Sequence, residues 1–240
     1  MSEFNRPENT FTQSGITLNK YMTKVFTIMG LGVALTAVIA FFGYGSLVSG
    51  GIMAQVFTAA PYLAFIVLGV ELVIAFMMGR GLTKYSTTTM YIMFFVYSAL
   101  TGFTFSVLPL AYGLHTFGTA FLFAAVLFIS CAIIGSTTSV DMTKFTGLLF
   151  GALLSLVIVT ILGVFIPAIG NSLLVGYIGL IIFLGLTAYD MQKIKQFYQV
   201  QDQSIQGNLA VYAAFQLYLD FINILIYVLR ILGHSSSSRN

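Results

Sequence analysis

The sequence is poor in charged residues. Only 7% of its 240 residues are Asp, Glu, Lys or Arg, against roughly 25% in soluble domains. Hydrophobic residues make up 58% of the chain, and the mean hydropathy is +0.97. This composition excludes an ordinary soluble domain, so we expect an integral membrane protein with almost no soluble part.

Cysteine, histidine and tryptophan are also scarce. The single cysteine, Cys131, lies in an apolar segment and cannot form an intrachain disulfide, so we interpret it as a packing residue. The histidines, His115 and His234, lie in a predicted loop and in the tail, and the sequence has no CxxC or HExxH motif. We therefore expect no resident cofactor and no metal site built on His and Cys. Tryptophan is absent, which leaves tyrosine to supply the aromatic belt at the membrane interface.

Long apolar runs dominate the chain, and runs of about 20 residues cross a bilayer as helices. We predict an all-α polytopic membrane protein, a bundle of about seven transmembrane helices. The predicted spans lie at about 25–45, 55–78, 88–112, 116–138, 145–167, 171–192 and 209–232. The domains are a polar cytoplasmic N-terminal segment (1–24), a seven-helix membrane domain (25–232) and a polar tail (233–240). The first segment has no early apolar run, so no cleavable signal peptide is expected.

The basic residues that flank the first six spans all fall on one side, whereas Arg230 falls on the other side if the seventh segment crosses. Those of the first six spans are Arg6, Lys20, Lys24, Arg80, Lys84, Lys144, Lys193 and Lys195. The opposite loops contain no Lys or Arg, so the positive-inside rule places the N terminus and the predicted 193–207 loop in the cytoplasm. We expect an inner membrane, and a seventh segment that crosses it rather than returning as a re-entrant loop. The net charge of +3 forms no cluster, which argues against a nucleic-acid partner.

Two aspartates, Asp190 and Asp220, lie at or inside apolar segments, where a charge costs several kcal/mol. The midpoint of their positions, (190 + 220)/2 = 205, falls in the polar turn QDQSIQG. An antiparallel hairpin centred there would bring both carboxyls to a similar depth, where they could share a proton. In the alternative interpretation each Asp satisfies a separate helix end, and Asp190 is an interfacial charge beside Lys193 and Lys195.

Glu71 is a third acidic residue deep in a predicted span. Arg80 lies nine residues later, about 13.5 Å along a helix, so the two do not pair directly. Arg80 is placed instead to reach a carboxylate near the cytoplasmic mouth, where Asp190 lies, and an arginine held by one or both aspartates would act as a latch. The alternative, that Arg80 is a snorkelling topology anchor, remains open.

Two stripes of small residues recur every four positions, as in helix contacts within membranes. One comprises Ser98, Gly102 and Ser106, and the other Gly147, Gly151 and Ser155. We predict that both are packing faces, and we assign them no chemistry.

Several tracts together resemble the transmembrane Bax inhibitor motif family, in its bacterial branch. They are AYDMQKIK, LYLDFINILIYVLRILG, YSALTGFTFS and ELVIAF. The resemblance implies a bundle of about seven helices with the last helix central. It also implies a pH-sensitive calcium leak gated by an aspartate pair, which is not an enzyme activity. Asp190 and Asp220 match the family's paired aspartates, Glu71 matches an acidic residue of the ion pathway, and Arg80 is a looser match to a gating arginine.

Carboxylate chemistry agrees with that expectation. Two carboxylates close together cannot both ionise cheaply, so the pair would titrate as one unit and act as a pH sensor. With one proton held and Arg80 bridging, the last helix would stay docked, and full deprotonation would repel the pair and open a wet path. Hard oxygen ligands suit Ca²⁺, so Asp190 and Asp220 are candidate transient calcium ligands.

Other functions remain open from the sequence. An intramembrane aspartyl protease also uses two aspartates, but its GxGD motif is absent, since Asp220 follows Tyr218 and Leu219. A second alternative is a non-enzymatic membrane protein that binds and modulates another membrane complex, such as a membrane protease. A proton-coupled transporter is less favoured, because no inverted repeat with matching broken helices is visible. The expected partners are thus calcium ion, the lipid bilayer and, in the second alternative, a protease complex.

Overall fold

The computed structural model describes residues 17–170, 172–200 and 202–237, and these residues form helices joined by turns, with no strand among them. The polar residues 1–16 and the last three residues of the tail lie outside them. Ten α-helices follow one another in the described residues: α1 (Leu18–Val48), α2 (Ile52–Ala59), α3 (Leu63–Arg80), α4 (Thr87–Phe105), α5 (Leu108–Tyr112), α6 (Leu114–Thr137), α7 (Thr146–Phe165), α8 (Pro167–Gly170), α9 (Leu173–Tyr198) and α10 (Gln203–Ser237). A 3₁₀ turn, Met142–Phe145, leads into α7.

Within the part of the chain that the structure describes, seven helical segments are long and apolar enough to cross a membrane, which confirms the predicted number. They are Leu18–Val48, Leu63–Arg80, Thr87–Tyr112, Leu114–Thr137, Met142–Gly163, Leu173–Tyr198 and Ser204–His234. The first begins before the predicted residue 25, because Thr17 caps α1 by accepting a hydrogen bond from the Lys20 backbone N–H. The second begins after the predicted residue 55. Pro61 follows α2 and has no N–H to continue a helix, so α3 starts only at Leu63.

The predicted 193–207 loop is wrong. Helix α9 continues to Tyr198 and α10 starts at Gln203, so the connection is a short turn. Lys and Gln are hydrophilic, but they are also good helix formers. The Lys- and Gln-rich sequence therefore extends both helices past the apolar region. Gln206 closes the turn, since its Nε2 donates to Tyr198 O at 3.2 Å and to Val200 O at 2.8 Å.

The last helix, α10, forms the centre of the bundle, as predicted. It packs against α1, α4, α6 and α9. In the most apolar 18 residues of its span 72% of the residues are buried, whereas in those of the Met142–Gly163 span only 6% are buried. The helix is unbroken over 35 residues, about 52 Å at 1.5 Å per residue. That length exceeds the roughly 30 Å of bilayer hydrocarbon and agrees with a crossing segment rather than a re-entrant one.

Only one of the two small-residue stripes packs inside the described bundle. A Cβ at Gly102 would lie 2.8 Å from Thr36 O, so α4 and α1 approach closely there, as predicted. At Gly147 and Gly151 an added Cβ would meet nothing within 4 Å, and the stripe is exposed. The prediction that this second stripe packs within the chain is therefore wrong. The sequence gives the spacing of such a stripe, but the helix rotation depends on its neighbours.

Candidate functional site

Asp190 and Asp220 lie in the interface between α9 and α10. Both are buried, with 7% and 4% of their surface exposed. The short turn makes α9 and α10 an antiparallel hairpin, and the two carboxyls are close enough to interact electrostatically. The structure therefore brings the predicted pair together at the core of the bundle.

The two aspartates are offset in depth by about one helical turn. Gln216 of α10 donates from Nε2 to Asp190 Oδ1 at 3.4 Å, and Thr187 of α9 is the hydrogen-bond partner of Asp220. Asp190 is thus opposite Gln216, and Asp220 is opposite Thr187. Three to four residues at 1.5 Å each give an offset of about 5 Å. The level pair that we predicted from a hairpin centred at residue 205 is corrected, because the turn lies earlier, between Tyr198 and Gln203.

The hydrogen bonds around Asp220 suit a neutral carboxylic acid. Thr187 Oγ1 lies 2.8 Å from Phe183 O, to which it can donate, and it is also the hydrogen-bond partner of Asp220. A hydroxyl has a single proton, so Thr187 accepts from Asp220 whenever it donates to Phe183 O. A carboxyl group donates only when it is protonated. The second oxygen, Asp220 Oδ2, is buried and has no hydrogen-bond partner among the described residues, which would penalise a charge still more.

Among the described residues, Lys193 is the lysine that lies near the aspartate pair. Lys193 interacts electrostatically with Asp190, and its Nζ lies 5.2 Å from the centre of the Tyr189 ring. Sequence analysis treated Lys193 as a topology charge, and it missed Thr187 and Gln216 altogether. Helical spacing could have found the last two, since Thr187 lies three residues before Asp190 and Gln216 four residues before Asp220.

Arg80 does not form the predicted latch in this conformation. It ends α3, which packs on α4 at the edge of the bundle, and its exposed guanidinium lies 4.3 Å from the centre of the Phe76 ring. No ion pair to either aspartate is present in the described part of the chain. Snorkelling along the helix surface brings the charge toward water and away from the core.

Glu71 lies in a separate buried cluster on another side of α10. It is 6% exposed, and its Oε1 accepts from Thr101 Oγ1 at 2.8 Å. Glu71 is also within electrostatic range of Tyr218, whose hydroxyl lies 2.7 Å from Thr36 Oγ1. Tyr218 and Asp220 are two residues apart, so they lie about 3 Å apart along α10 but point to opposite sides. The predicted pathway residue is therefore level with the gate but not in contact with it.

The remaining acids of the described chain lie outside the spans. Asp141 and Asp202 are exposed. Hydrogen bonds from the side chain and backbone of Thr143 lower the pKa of Asp141, and those from Ser204 lower the pKa of Asp202. Both carboxylates stay ionised well below neutral pH, so a pH response near neutrality cannot come from them.

The acidic residues do not form a calcium cage. No group of three or more His, Cys, Asp or Glu is close enough to hold a metal within residues 17–170, 172–200 and 202–237. Two carboxylates offer at most four oxygens, whereas Ca²⁺ takes six to eight ligands. The pair can therefore contact a passing, partly hydrated ion but cannot enclose one.

Known proteins resemble this chain over nearly its whole length. A family model described as "Inhibitor of apoptosis-promoting Bax1" matches residues 18–237. An uncharacterized membrane protein of Streptococcus pyogenes is 33% identical over 225 residues, which cover 94% of this chain and 97% of the relative. The inner membrane protein YbhL of Escherichia coli is 32% identical over 237 residues, with 98% and 99% covered. An uncharacterized protein of Borreliella burgdorferi is 35% identical over 218 residues, with 90% and 92% covered.

Proposed function

Because this chain belongs to the Bax inhibitor family and is a multi-pass membrane protein, we propose that it is a pH-sensitive calcium leak channel gated by Asp190 and Asp220. The observation that carries the proposal is the pair of buried carboxyls between α9 and the central helix α10. Ionisable residues in a membrane interior are expensive and are usually found on ion or proton paths.

The gate works through repulsion between the two carboxylates. With a proton on Asp220, the acid fits the Thr187 site, and Asp190 keeps its hydrogen bond from Gln216. Loss of that proton places two negative charges about one turn apart in a medium that screens them poorly. The repulsion separates α10 from α9 and admits water, so flux rises with pH. Because the two carboxyls interact, the pair loses its protons in two macroscopic steps. In the proposed gate the flux follows the second step, which leaves both carboxyls charged.

Calcium is the transported ion in this proposal, not a resident cofactor. Carboxylate oxygens are hard ligands that suit Ca²⁺. A site with at most four such oxygens holds the ion weakly, and an ion must leave its site for conduction to proceed. Glu71 supplies a further carboxyl on the path at nearly the same depth. Arg80 would act as a latch only in a state in which it has left the Phe76 ring.

The orientation that we propose puts the N terminus in the cytoplasm, across an inner membrane. Polar contacts gather the basic loops at one end of the bundle. Asn208 at the start of α10 donates to Leu82 O, and Gln192 near the end of α9 donates to Val140 O. Lys20, Lys84, Lys144 and Lys195 lie at this end, and the positive-inside rule makes it cytoplasmic. The relative YbhL is an inner membrane protein, which supports the same compartment.

A second candidate function is a non-enzymatic protein that binds and modulates another membrane complex, such as a membrane protease. The observation that favours it is the outward position of α7. Only 6% of the residues in the apolar window of its span are buried, so most of its surface is open to a neighbouring helix. Co-purification of a stoichiometric partner by a chain that shows no ion flux would favour this function over the leak.

Calcium flux into dye-loaded liposomes, measured at several pH values with the purified protein, tests the leak. Wild type should show flux that rises with pH. Asp220→Asn removes the titrating group and mimics its neutral form, so we expect a low flux that no longer depends on pH. Asp202→Asn is the matched control, because Asp202 is exposed in a turn, and it should behave like wild type. A normal pH response in Asp220→Asn would rule out the gate, and no flux above empty liposomes would rule out the leak.

A further inference from the structure

An apolar groove opens on the side of the bundle between α1 and α6. The second half of α1 and the first turns of α6 form its walls, and Phe105 and Pro109 contribute near the end of α4. Its floor is α10, through Phe221, Ile222 and Leu225. The cavity has a volume of about 350 Å³, within the range of about 300–1,000 Å³ that ligand pockets occupy. The groove therefore gives a ligand access to the central helix.

The groove is continuous with the surface that faces lipid. Phe41 on one wall is 66% exposed and Leu122 on the other is 68% exposed, so both rims belong to the apolar exterior of the spans. The hydroxyl-bearing lining residues are Thr36 and Tyr44. The Thr36 hydroxyl is already bonded to Ser98 O and to Tyr218. A hydrocarbon ligand finds packing along the whole groove, whereas a polar ligand finds few partners.

The length of the groove matches one leaflet of a bilayer. On α1 its lining runs from Val33 to Tyr44, and eleven helical steps of 1.5 Å span about 16 Å. That is about half of the roughly 30 Å hydrocarbon core. On α6 the lining lies between Leu114 and Leu122, at the same end of the bundle, opposite the end that carries the basic loops. The groove thus spans the leaflet on the side without Lys-rich loops.

We propose that the groove binds one acyl chain of a phospholipid from that leaflet. The chain lies between α1 and α6 and packs on Phe221 and Ile222. These two residues directly follow Asp220, so the lipid contacts the helix that carries a buried acid. Binding of this kind requires no ion conduction, and it is measured independently of flux.

Because the sequence contains no tryptophan, an introduced tryptophan is the only one in the protein, and its fluorescence reports on one position. Phe221→Trp places a single tryptophan at the groove floor. Phe215→Trp places one at a buried site of α10 that packs on Tyr97, and Leu148→Trp places one on the exposed surface, since Leu148 is 70% exposed. Each variant is reconstituted in phosphatidylcholine vesicles whose acyl chains carry bromine at mid-chain, a quencher that acts at short range.

We expect strong quenching of Phe221→Trp and Leu148→Trp and weak quenching of Phe215→Trp. A second substitution, Gly118→Phe, fills the groove, because Gly118 lines it and an added Cβ there meets nothing within 4 Å. It should reduce the quenching of Phe221→Trp and leave that of Leu148→Trp unchanged.

Three results would overturn the proposal. They are quenching of Phe221→Trp as weak as that of Phe215→Trp, quenching that Gly118→Phe does not reduce, and quenching by brominated free fatty acid alone. If Phe221→Trp does not elute as a folded protein in size-exclusion chromatography, Phe117→Trp on the α6 wall is measured in its place. The same outcomes decide the proposal at that position.

Discussion

Gln216 donates a hydrogen bond from its Nε2 to Asp190 Oδ1, 3.4 Å away across the α9–α10 interface. Gln216 precedes Asp220 by one turn on α10, so this contact fixes the offset between the two acids. It also makes the surroundings of the two carboxyls unequal. Asp190 receives an amide N–H, which stabilises a carboxylate, whereas Asp220 keeps one oxygen, Oδ2, buried without a hydrogen-bond partner among the described residues. In the proposed gate, Asp220 therefore holds the proton.

Gln216→Ala removes the amide that stabilises the Asp190 carboxylate. Full deprotonation of the pair then becomes harder, so the rise of flux should move to higher pH. A hydrogen bond to a charged group contributes about 1.5–3 kcal/mol, and 1.36 kcal/mol corresponds to one pH unit. Since this contact is long, we expect a shift of about one unit at most. Liposome flux between pH 5 and 9 measures it. Gln206→Ala, which loses only turn contacts, should not move the curve, and an unmoved curve in Gln216→Ala would remove Gln216 from the gate.

Glu71→Gln should separate conduction from pH sensing. Glutamine keeps the shape of Glu71 and can still accept from Thr101 Oγ1, so we expect the fold to persist. The charge on the proposed ion path is lost, so the maximal calcium flux should fall while the pH midpoint stays that of wild type. Flux amplitude and midpoint are read from the same liposome titration. A shifted midpoint with full amplitude would instead make Glu71 part of the sensor.

The number of spans could be predicted because an apolar run is a property of consecutive residues. The rotation of each helix about its axis could not be predicted, because it depends on packing against helices that are distant in sequence. Both stripes have the same spacing, yet Gly102 packs on α1 and Gly151 is exposed. Arg80 has the charge for a latch, but α3 lies at the edge of the bundle. The aspartate pair was recognisable because carboxyls are rare in such segments, whereas Thr187 and Gln216 are common residues whose role depends on helix register.

Gly102→Ala and Gly151→Ala form a matched pair that tests whether each small-residue stripe packs against a neighbouring helix. The new Cβ at Gly102 would lie 2.8 Å from both Thr36 O and Ile39 Cβ, so α1 and α4 must separate. Such overpacking costs about 1–3 kcal/mol, and we expect a clear fall in the unfolding temperature in detergent. At Gly151 the new methyl meets nothing within 4 Å, and the unfolding temperature should stay at or above that of wild type. Equal effects in the two variants would contradict the packing described for α4.

Asn208 holds the α3–α4 connection to the start of α10, and Asn208→Leu tests the strength of that connection. Its Nδ2 donates to Leu82 O and to Tyr85 O at 2.8 Å each, and its Oδ1 accepts from Thr87 at 2.7 Å. The side chain is 3% exposed, so leucine leaves partly buried carbonyls without a donor. Each lost partner costs about 1–3 kcal/mol. We therefore expect a loss of stability of about 2–5 kcal/mol, measured by thermal unfolding in detergent.

Asn223→Leu is the control for that substitution. Asn223 lies on the same helix, and among the described residues its Nδ2 donates only within that helix, to Leu219 O at 2.8 Å. Leu219 O also accepts a backbone hydrogen bond of the helix, so it stays paired when the side-chain donor is lost. The unfolding temperature should therefore change little. The contrast between the two variants isolates the contacts that join α10 to the α3–α4 connection, because both replace a partly or fully buried Asn with the same apolar side chain. If Asn208→Leu unfolds at the same temperature as Asn223→Leu, the connection is held by packing of the surrounding apolar residues and not by the Asn208 hydrogen bonds.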